Sequence, residues 1–429
     1  MSEWKTIAAD EFCESVRDGT HDTPKPTTNG FKLVTGKHLK NGVIDPTDAY
    51  YISEADYNKI NERSKVDQWD VLMSMIGTIG EVAVVKDEPN YAIKNIALFK
   101  CSGSEMKGKW LAYYLSSPIA KGYFSGNQKG SSQQFLSLKQ LRNLPILVAE
   151  ESYMRYVVEI LSRYDTLIEN YQKQIKLLEE AAQRLYKEWF VDLRFPGYEN
   201  AKMVDGLPEG WERKKLGEVC EVNKTSIAKN YAYNYVNYND LGNVREGSIQ
   251  EPVRYVYGQE PGRAKRVAKD GDVIWGMVRP NLKSYALVQN PKPQDVYSTG
   301  FAVLSSKAVP FSFLYCAVIT DDFVGYLVNC TNGAAYPAVK AVHFENAVLL
   351  VPSRSLLDEF SKFAEPLFRK CGKLSSQIRL LTEARDRLLP KLMGGEMEVD
   401  APKGQRATSI EQRSGHNEQT TNAPKGQKH

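Results

Sequence analysis

Two rhythms of apolar and polar positions alternate along this chain. From Met1 to about Glu150, short apolar runs are broken by turn-forming residues. The stretch Asp70-Val71-Leu72-Met73-Ser74-Met75-Ile76-Gly77-Thr78-Ile79-Gly80-Glu81-Val82-Ala83-Val84-Val85 predicts strand, glycine turn, strand. Trp110 to Leu115 and Ser137 to Asn143 carry helical spacing, so this module mixes α and β. From about Glu151 the apolar residues Val157, Leu161, Tyr164, Ile168, Tyr171, Ile175, Leu178, Ala182, Leu185 and Trp189 step by four and three without a break. That spacing predicts a long helix with a coiled-coil seam, ended by Pro196-Gly197.

The second half of the chain says nearly the same thing again. Gly122-Tyr123-Phe124 returns as Gly325-Tyr326-Leu327, Asn143 as Asn346 and Gln174-Ile175 as Gln377-Ile378, all at an offset of 203; Asp70-Val71 returns as Asp272-Val273 at 202. A second seam, Phe360, Ala364, Leu367, Cys371, Leu374, Ile378, Leu381, Arg385, Leu388 and Leu392, matches the first position by position. Pro366 inside it is expected to kink the helix or mark its first turn, and Arg385 puts a charge where the first helix has Ala182. A repeat this long is a duplicated domain with its connector. Two apolar stripes most simply bury each other, because stripes of this length left exposed would aggregate. The expected fold is therefore α+β: two mixed α/β modules and two long helices in an antiparallel coiled coil with pseudo-twofold symmetry. Boundaries are expected at 1–150 and 211–353 for the modules, 151–190 and 354–394 for the helices, and 191–210 for a linker. A polar tail, 395–429, writes Ala-Pro-Lys-Gly-Gln twice and is expected to be disordered.

Composition narrows the class. The 429 residues suffice for two or three domains, and 42% hydrophobic with 25% charged is ordinary for a soluble protein. No run of 18 apolar residues occurs, and Glu3, Asp10 and Glu11 stand where a signal peptide would be basic and then apolar, so a cytoplasmic location is expected. Six scattered cysteines, without a C-x-x-C pair, predict neither disulfides nor a zinc site. The net charge is +4, but the segment after Asp400 holds five basic residues against two acidic and supplies +3 of it. A nucleic-acid partner would then be held by local patches or by a partner's charge.

The order module, heptad helix, module, heptad helix resembles the DNA-specificity subunit of type I restriction-modification systems. Asp70-Val71-Leu72-Met73-Ser74 through Gly80, and Gly271-Asp272-Val273-Ile274 through Arg279, are similar to the strand-turn motif of its target-recognition domains. Gly130-Ser131-Ser132-Gln133 with Leu136, Leu141 and Leu144-Pro145-Ile146, and Lys187-Glu188-Trp189-Phe190-Val191-Asp192 with Arg194-Phe195-Pro196-Gly197, resemble its conserved regions. The resemblance implies a non-catalytic subunit that binds double-stranded DNA at a two-part target, one half per recognition domain. It implies docking of two modification subunits that methylate adenine and two restriction subunits that hydrolyse ATP and cut DNA. S-adenosylmethionine, ATP and Mg2+ would be used by those subunits, with no cofactor or metal on this chain.

The residues themselves carry no catalytic constellation. There is no Asn/Asp-Pro-Pro-aromatic string and no Walker loop, and Val34-Thr35-Gly36-Lys37-His38 lacks the earlier glycine and the Ser/Thr a phosphate loop needs. Gly77-Thr78-Ile79-Gly80 reads as a hairpin turn. Candidate DNA contacts are Arg279, Asn281 and Lys283, since Arg and Asn pair bidentately with guanine and adenine edges. Lys129, Ser131, Ser132 and Gln133, with Asn332 and Tyr336 at matched positions, are candidates for phosphates or bases, against the alternative of a polar helix-capping turn. Thr20, His21, Lys37 and His38 are candidates of the same kind. The segments Asp18 to Pro24 and Asn223 to Ile227 differ between the copies, which predicts a non-palindromic target. The competing readings are a coiled-coil scaffold without DNA binding, and the recognition subunit of a related bipartite-site restriction enzyme.

Overall fold

The computed structural model describes residues 4–40, 42–127, 134–228, 230–331 and 337–397. The chain divides into two compact units, Met1–Arg163 with Arg385–His429, and Tyr164–Ala384.

In the first unit, β1 (Lys5–Ala8) leads through a short helix, α1 (Ala9–Phe12), into β2 (Ser15–Asp18). β3 (Phe31–Thr35), the hairpin β4 (Leu39–Lys40) and β5 (Val43–Ile44), β6 (Tyr51–Ile52) and α2 (Glu54–Ser64) follow. Next come β7 (Val71–Ser74), β8 (Val82–Val84), β9 (Tyr91–Lys94) and β10 (Ile96–Lys100). Then α3 (Glu105–Ser116), α4 (Pro118–Asn127), α5 (Leu138–Arg142) and β11 (Pro145–Val148) complete the globular part. Two sheets result, a four-stranded one in the order β2-β10-β7-β8 and a three-stranded one, β6-β3-β9, in which β3 and β9 run parallel. Every residue of β7 and β10 is buried, as expected of inner strands covered on both faces. One face packs with Trp110, Leu111 and Leu115 of α3, the other with Val34, Ile93 and Leu39. Helix starts are set by side-chain caps: the hydroxyls of Ser53, Ser104 and Ser137 accept the amides of Asp56, Lys107 and Gln140.

The first long helix, α6 (Glu151–Tyr186), ends in a π turn over Lys187–Val191. Its first turns belong to the first unit, where Tyr153, Val157 and Leu161 share a core with Leu389, Leu392 and Met393, and the Tyr153 hydroxyl donates to the Leu392 carbonyl at 3.0 Å.

The second unit repeats the plan. After a small hairpin, β12 (Met203–Val204) and β13 (Leu207–Pro208), come β14 (Glu212–Lys215), α7 (Leu216–Val219), β15 (Cys220–Val222) and β16 (Tyr235–Asn239). The hairpin β17 (Val244–Arg245) and β18 (Ser248–Ile249) precedes β19 (Val253–Val256), β20 (Ala264–Arg266), β21 (Val273–Gly276), β22 (Tyr285–Leu287), β23 (Asp295–Ser298) and β24 (Phe301–Ser306). Helices α8 (Phe311–Val318), α9 (Asp321–Asn329) and α10 (Ala341–Asn346) lead to β25 (Val348–Val351) and the second long helix, α11 (Arg354–Met393). The four-stranded sheet β15-β24-β21-β22 has the order of the first unit's, and β16 and β23 are again parallel. The duplication extends to single bonds. The Tyr123 hydroxyl donates to the Gln140 carbonyl at 3.1 Å, and Tyr326, 203 positions on, to the His343 carbonyl at 2.9 Å. What differs is the small sheet, which in the second unit gains β20 as an edge strand, while the first unit has α2.

Within the second unit the long helices run antiparallel. Ile175 lies beside Cys371, whereas Tyr186, eleven residues later, meets Phe360, eleven residues earlier. The seam residues Val157, Leu161, Tyr164, Ile168, Tyr171, Ile175, Leu178, Leu185, Phe360, Leu367, Leu374, Ile378, Leu381 and Leu388 are all buried or half-buried. Pro366 does not mark the first turn of α11: the helix begins at Arg354 and continues through the proline. Arg385 keeps its guanidinium at the surface on Asp386, 2.8 Å away, where Ala182 is fully buried in the other helix. The six cysteines are free, and all but Cys330 are buried.

Candidate nucleic-acid interface

In each unit, three backbone segments converge where the central strand of the large sheet ends. β7 and β21 run out into a loop that turns left-handed, at Gly77 (φ 77°) and at Arg279 (φ 50°). The loop is pinned by the chain ahead of α5 or α10. Gly77 N–H donates to the Gln134 carbonyl at 3.1 Å, and Arg279 N–H to the Pro337 carbonyl at 2.8 Å. Leu136 N–H reaches the Met75 carbonyl, and Val339 N–H the Met277 carbonyl, at 3.0 and 2.9 Å. The third segment is the turn joining the two sheets, at Asn95 and at Thr299-Gly300; Ile96 pairs with Ser74, and Phe301 with Gly276. Lys129, Ser131, Ser132, Gln133, Asn332 and Tyr336, which precede the pinning residues in sequence, lie outside the described residues, as does the tail from 398.

The same frame carries different side chains in the two units. In the first, the turn at Asn95 is covered by the divergent segment after β2. Thr20 bridges Lys94, and the His21 ring places Nδ1 2.8 Å from Asn95 Oδ1 and Nε2 3.0 Å from Asp18 Oδ2, with the imidazole more than half exposed. That close approach requires Gly19, where a Cβ would stand 2.4 Å from the Ile93 carbonyl oxygen. In the second, the matching turn is met by the residue just ahead of β20: the Arg263 carbonyl accepts Thr299 N–H, and the Gly300 carbonyl accepts Met277 N–H, both at 2.8 Å. Arg263 and Arg279 thus flank one turn. Arg279 and Asn281 are exposed at the loop tip. Asparagine and glycine visit the left-handed region readily, arginine does not, so Arg279 is held there by its surroundings.

Several expected contacts are placed otherwise. Lys283 is held by Asp321 at 2.9 Å and Glu246 at 3.6 Å, which secures the loop. Lys37 pairs with Asp48 at 3.2 Å on the surface. His38 is a correction: only 3% exposed, it closes the turn Gly36–His38 from inside, Nδ1 accepting the Thr35 amide at 2.8 Å. Burial lowers its pKa against the opposing pull of Asp48, which lies 3.2 Å from Nε2 but off the angle of a hydrogen bond. A buried imidazole cannot reach a groove. Strand β20 is absent from the candidates drawn from sequence, where Arg263-Ala264-Lys265-Arg266 is legible only as a basic run. Among the described residues no three His, Cys, Asp or Glu side chains are grouped to hold a metal, and no single helix is long and apolar enough to cross a membrane.

Comparison with known proteins places this architecture. Residues 1–180 match the family model described as the type I restriction modification DNA specificity domain. The chain is 26% identical over 368 residues to the type I restriction enzyme MjaIX specificity subunit of Methanocaldococcus jannaschii, covering 77% of this chain and 78% of that one. It is 22% identical to the MjaVIII specificity subunit of the same organism, covering 79% and 80%. The crystal structure of the type I restriction-modification S subunit from M. genitalium shares the fold, with a TM-score of 0.53 at 16% identity over 91% of this chain and 96% of that one. Over most of its length the chain is similar to specificity subunits of type I restriction-modification systems, and the match to their DNA specificity domain lies in residues 1–180.

Proposed function

We propose that this subunit reads an asymmetric two-part DNA target, one half with each unit, and positions the adenine methyltransferase and restriction subunits on it. The observation that carries the reading is the convergence at the end of β7 and of β21: one backbone frame, twice, with Gly77, His21 and Asn95 in the first unit and Arg279, Thr299 and Gly300 in the second. A frame that stays while its exposed donors change is what two readers of different bases require. Arg279 is suited to a guanine edge and Asn281 to an adenine edge, with Thr20 and His21 the corresponding readers of the first half. The recognition domains are the mixed modules of 1–150 and 211–353, joined in one chain by the long helices. Two linked readers gain affinity by effective concentration only when the spacing fits. Bond making and breaking fall to two modification and two restriction subunits, with their S-adenosylmethionine, ATP and Mg2+; this chain supplies the address.

The test is to co-express the chain with its modification subunit in an unmethylated host and map methyladenine across the genome. One bipartite motif is expected, and replacing residues 4–150 with those of a relative should change one half only. A stable complex that leaves the genome unmethylated would sink the proposal.

A further inference from the structure

We infer that the second unit carries a DNA-backbone phosphate site at the edge strand β20, centred on Arg266 with Lys265 and the preceding Arg263, at a place where the first unit holds Arg63 on Asp18 and Lys94 on Thr23. The inference rests on the DNA-reading proposal and adds to it a division of labour: the second unit grips the backbone irrespective of sequence.

Arg266 is half-buried, and its Nε is shut off from solvent with no hydrogen-bond partner among the described residues. Burial lowers its pKa, and no carboxylate among the described residues offsets it. A guanidinium nitrogen removed from water without an acceptor is an unfavourable arrangement in the free protein. Arg266 keeps part of its surface in solvent, and through that part its guanidinium, which has no carboxylate partner among the described residues, can meet a phosphate. The backbone supports the same reading. β20 pairs Ala264 with Ser298 but Arg266 with Tyr297, so two residues advance against one and the strand bulges at Lys265. Bulges on edge strands re-aim side chains. Ala264 is fully buried while Arg263 and Lys265 are exposed, and neither of these has a side-chain ion pair or hydrogen bond among the described residues. The strand's outer side is lined by the divergent segment, Ser226 bridging Arg266 and Ile227 N–H donating to the Lys265 carbonyl at 2.9 Å. Its start is fixed at the reading loop by the Arg263–Thr299 bond. Arg266, three residues on, lies within roughly 10 Å of that point, less for the bulge, which is on the scale of neighbouring phosphates.

At the corresponding edge of the first unit the cations are held within the chain. There Thr20 bridges β9, Arg63 is held by Asp18, and Lys94 is held by Thr23.

The experiment uses the complex of the full chain with its modification subunits, a duplex carrying the mapped target, and a scrambled duplex of equal length. Arg266→Ala is expected to weaken binding to both duplexes alike, about tenfold at low salt, and to flatten the slope of log K against log salt by about 0.9 for each phosphate no longer neutralised. The methylated motif stays the same, and Arg266→Lys retains most of the slope. The pair Arg263→Ala with Lys265→Ala, both solvent-facing and unable to compromise the core, should flatten the slope likewise and decides the matter if Arg266→Ala fails to fold. An unchanged slope overturns the phosphate site, as does a weakening confined to the target duplex with a new base in the motif, which would make Arg266 a base reader. If the wild-type complex methylates no bipartite motif, the DNA-reading proposal fails and takes this one with it; a normal motif with an unchanged slope removes the phosphate site alone.

Discussion

Asp70 in the first unit and Asp272 in the second occupy the same place, just ahead of the central strand of the large sheet. Each accepts the amide of the residue three positions earlier, Asp67 at 2.8 Å and Lys269 at 2.7 Å, and burial raises the pKa of both carboxyls. Their second partner differs. Asp70 is met by Lys100 at 2.6 Å, itself only 6% exposed and also held by Asp67, and by the Cys101 amide at 3.0 Å. Asp272 has the hydroxyl of Ser305, at the corresponding point of β24. One frame has thus accepted a buried ion pair in one copy and a neutral donor in the other. Geometry is what the copies share, and chemistry is free to diverge on it.

Lys100→Met should test this most severely. It leaves Asp70 buried with amide donors alone, and breaking a buried pair by removing one partner costs about 3–5 kcal/mol. Hydrogen exchange of the β7 and β10 amides should report that loss, with β21 and β24 unaffected. Without Lys100 the folded-state pKa of Asp70 rises further above its unfolded value. The deficit should then be full at neutral pH and shrink on acidification as Asp70 protonates. Ser305→Ala should cost only about 1 kcal/mol. Equal losses from the two changes would show that the second unit depends on its donor as heavily as the first.

A smaller contrast lies on the helices. Glu179 of α6 faces the β17–β18 turn in the second unit, against Gly247 and near the Tyr315 hydroxyl. Burial and the nearby Glu246, which the Tyr285 hydroxyl holds at 3.1 Å and Lys283 approaches at 3.6 Å, push its carboxyl from 4.5 up to about 7. The folded-state pKa is raised, so its contribution is favourable at pH below the unfolded value of 4.5 and is lost as pH climbs through 7. At 1.36 kcal/mol per unit the loss is at most about 3 kcal/mol. The second helix has Thr382 at the matching position, with no charge to lose. Glu179→Gln should match the parent near pH 4.5 and exceed it at pH 8 in the exchange of second-unit amides. A parallel pH profile in both proteins would remove Glu179 as the cause.

These contrasts explain which parts of the molecule were legible in the sequence. The seams were, because burial on a helix repeats every three or four residues and a duplicated seam repeats it again. The strand-turn-strand of 71–84 was, because glycine there does a local job, and so was the helical spacing of Ser137 to Asn143. The roles of His38 and Lys37 depend instead on Asp48 across the β4–β5 hairpin, and nothing in the letters Gly-Lys-His tells an inward imidazole from an outward one. Strand β20 was hidden for a related reason: its apolar content is a single alanine, and its place is fixed by pairing with the distant β23. The equivalence of Gly77 and Arg279 falls where the offset slips from 203 to 202, and two dissimilar residues show no kinship until their backbones are compared.

That last pair offers the smallest and most specific test. A non-glycine residue in the left-handed region costs about 1–2 kcal/mol, and Gly77 has no atom within 4 Å of an added Cβ, so only the left-handed backbone opposes a side chain there. Arg279→Gly should then stabilise the second unit by about 1 kcal/mol, and Gly77→Arg should destabilise the first by a similar amount. If Arg279 were placed by folding alone, its replacement would leave the methylated motif as it was. A reader held in a strained conformation behaves otherwise: stability rises while the second half of the motif loses its requirement at one base pair, the first half being untouched. Because strain of this kind persists where the surroundings over-determine it, a gain in stability accompanied by a loss of discrimination is the outcome expected of a functional residue. A variant that is more stable and reads the same bases would return Arg279 to the scaffold and leave Asn281 as the reader at that loop.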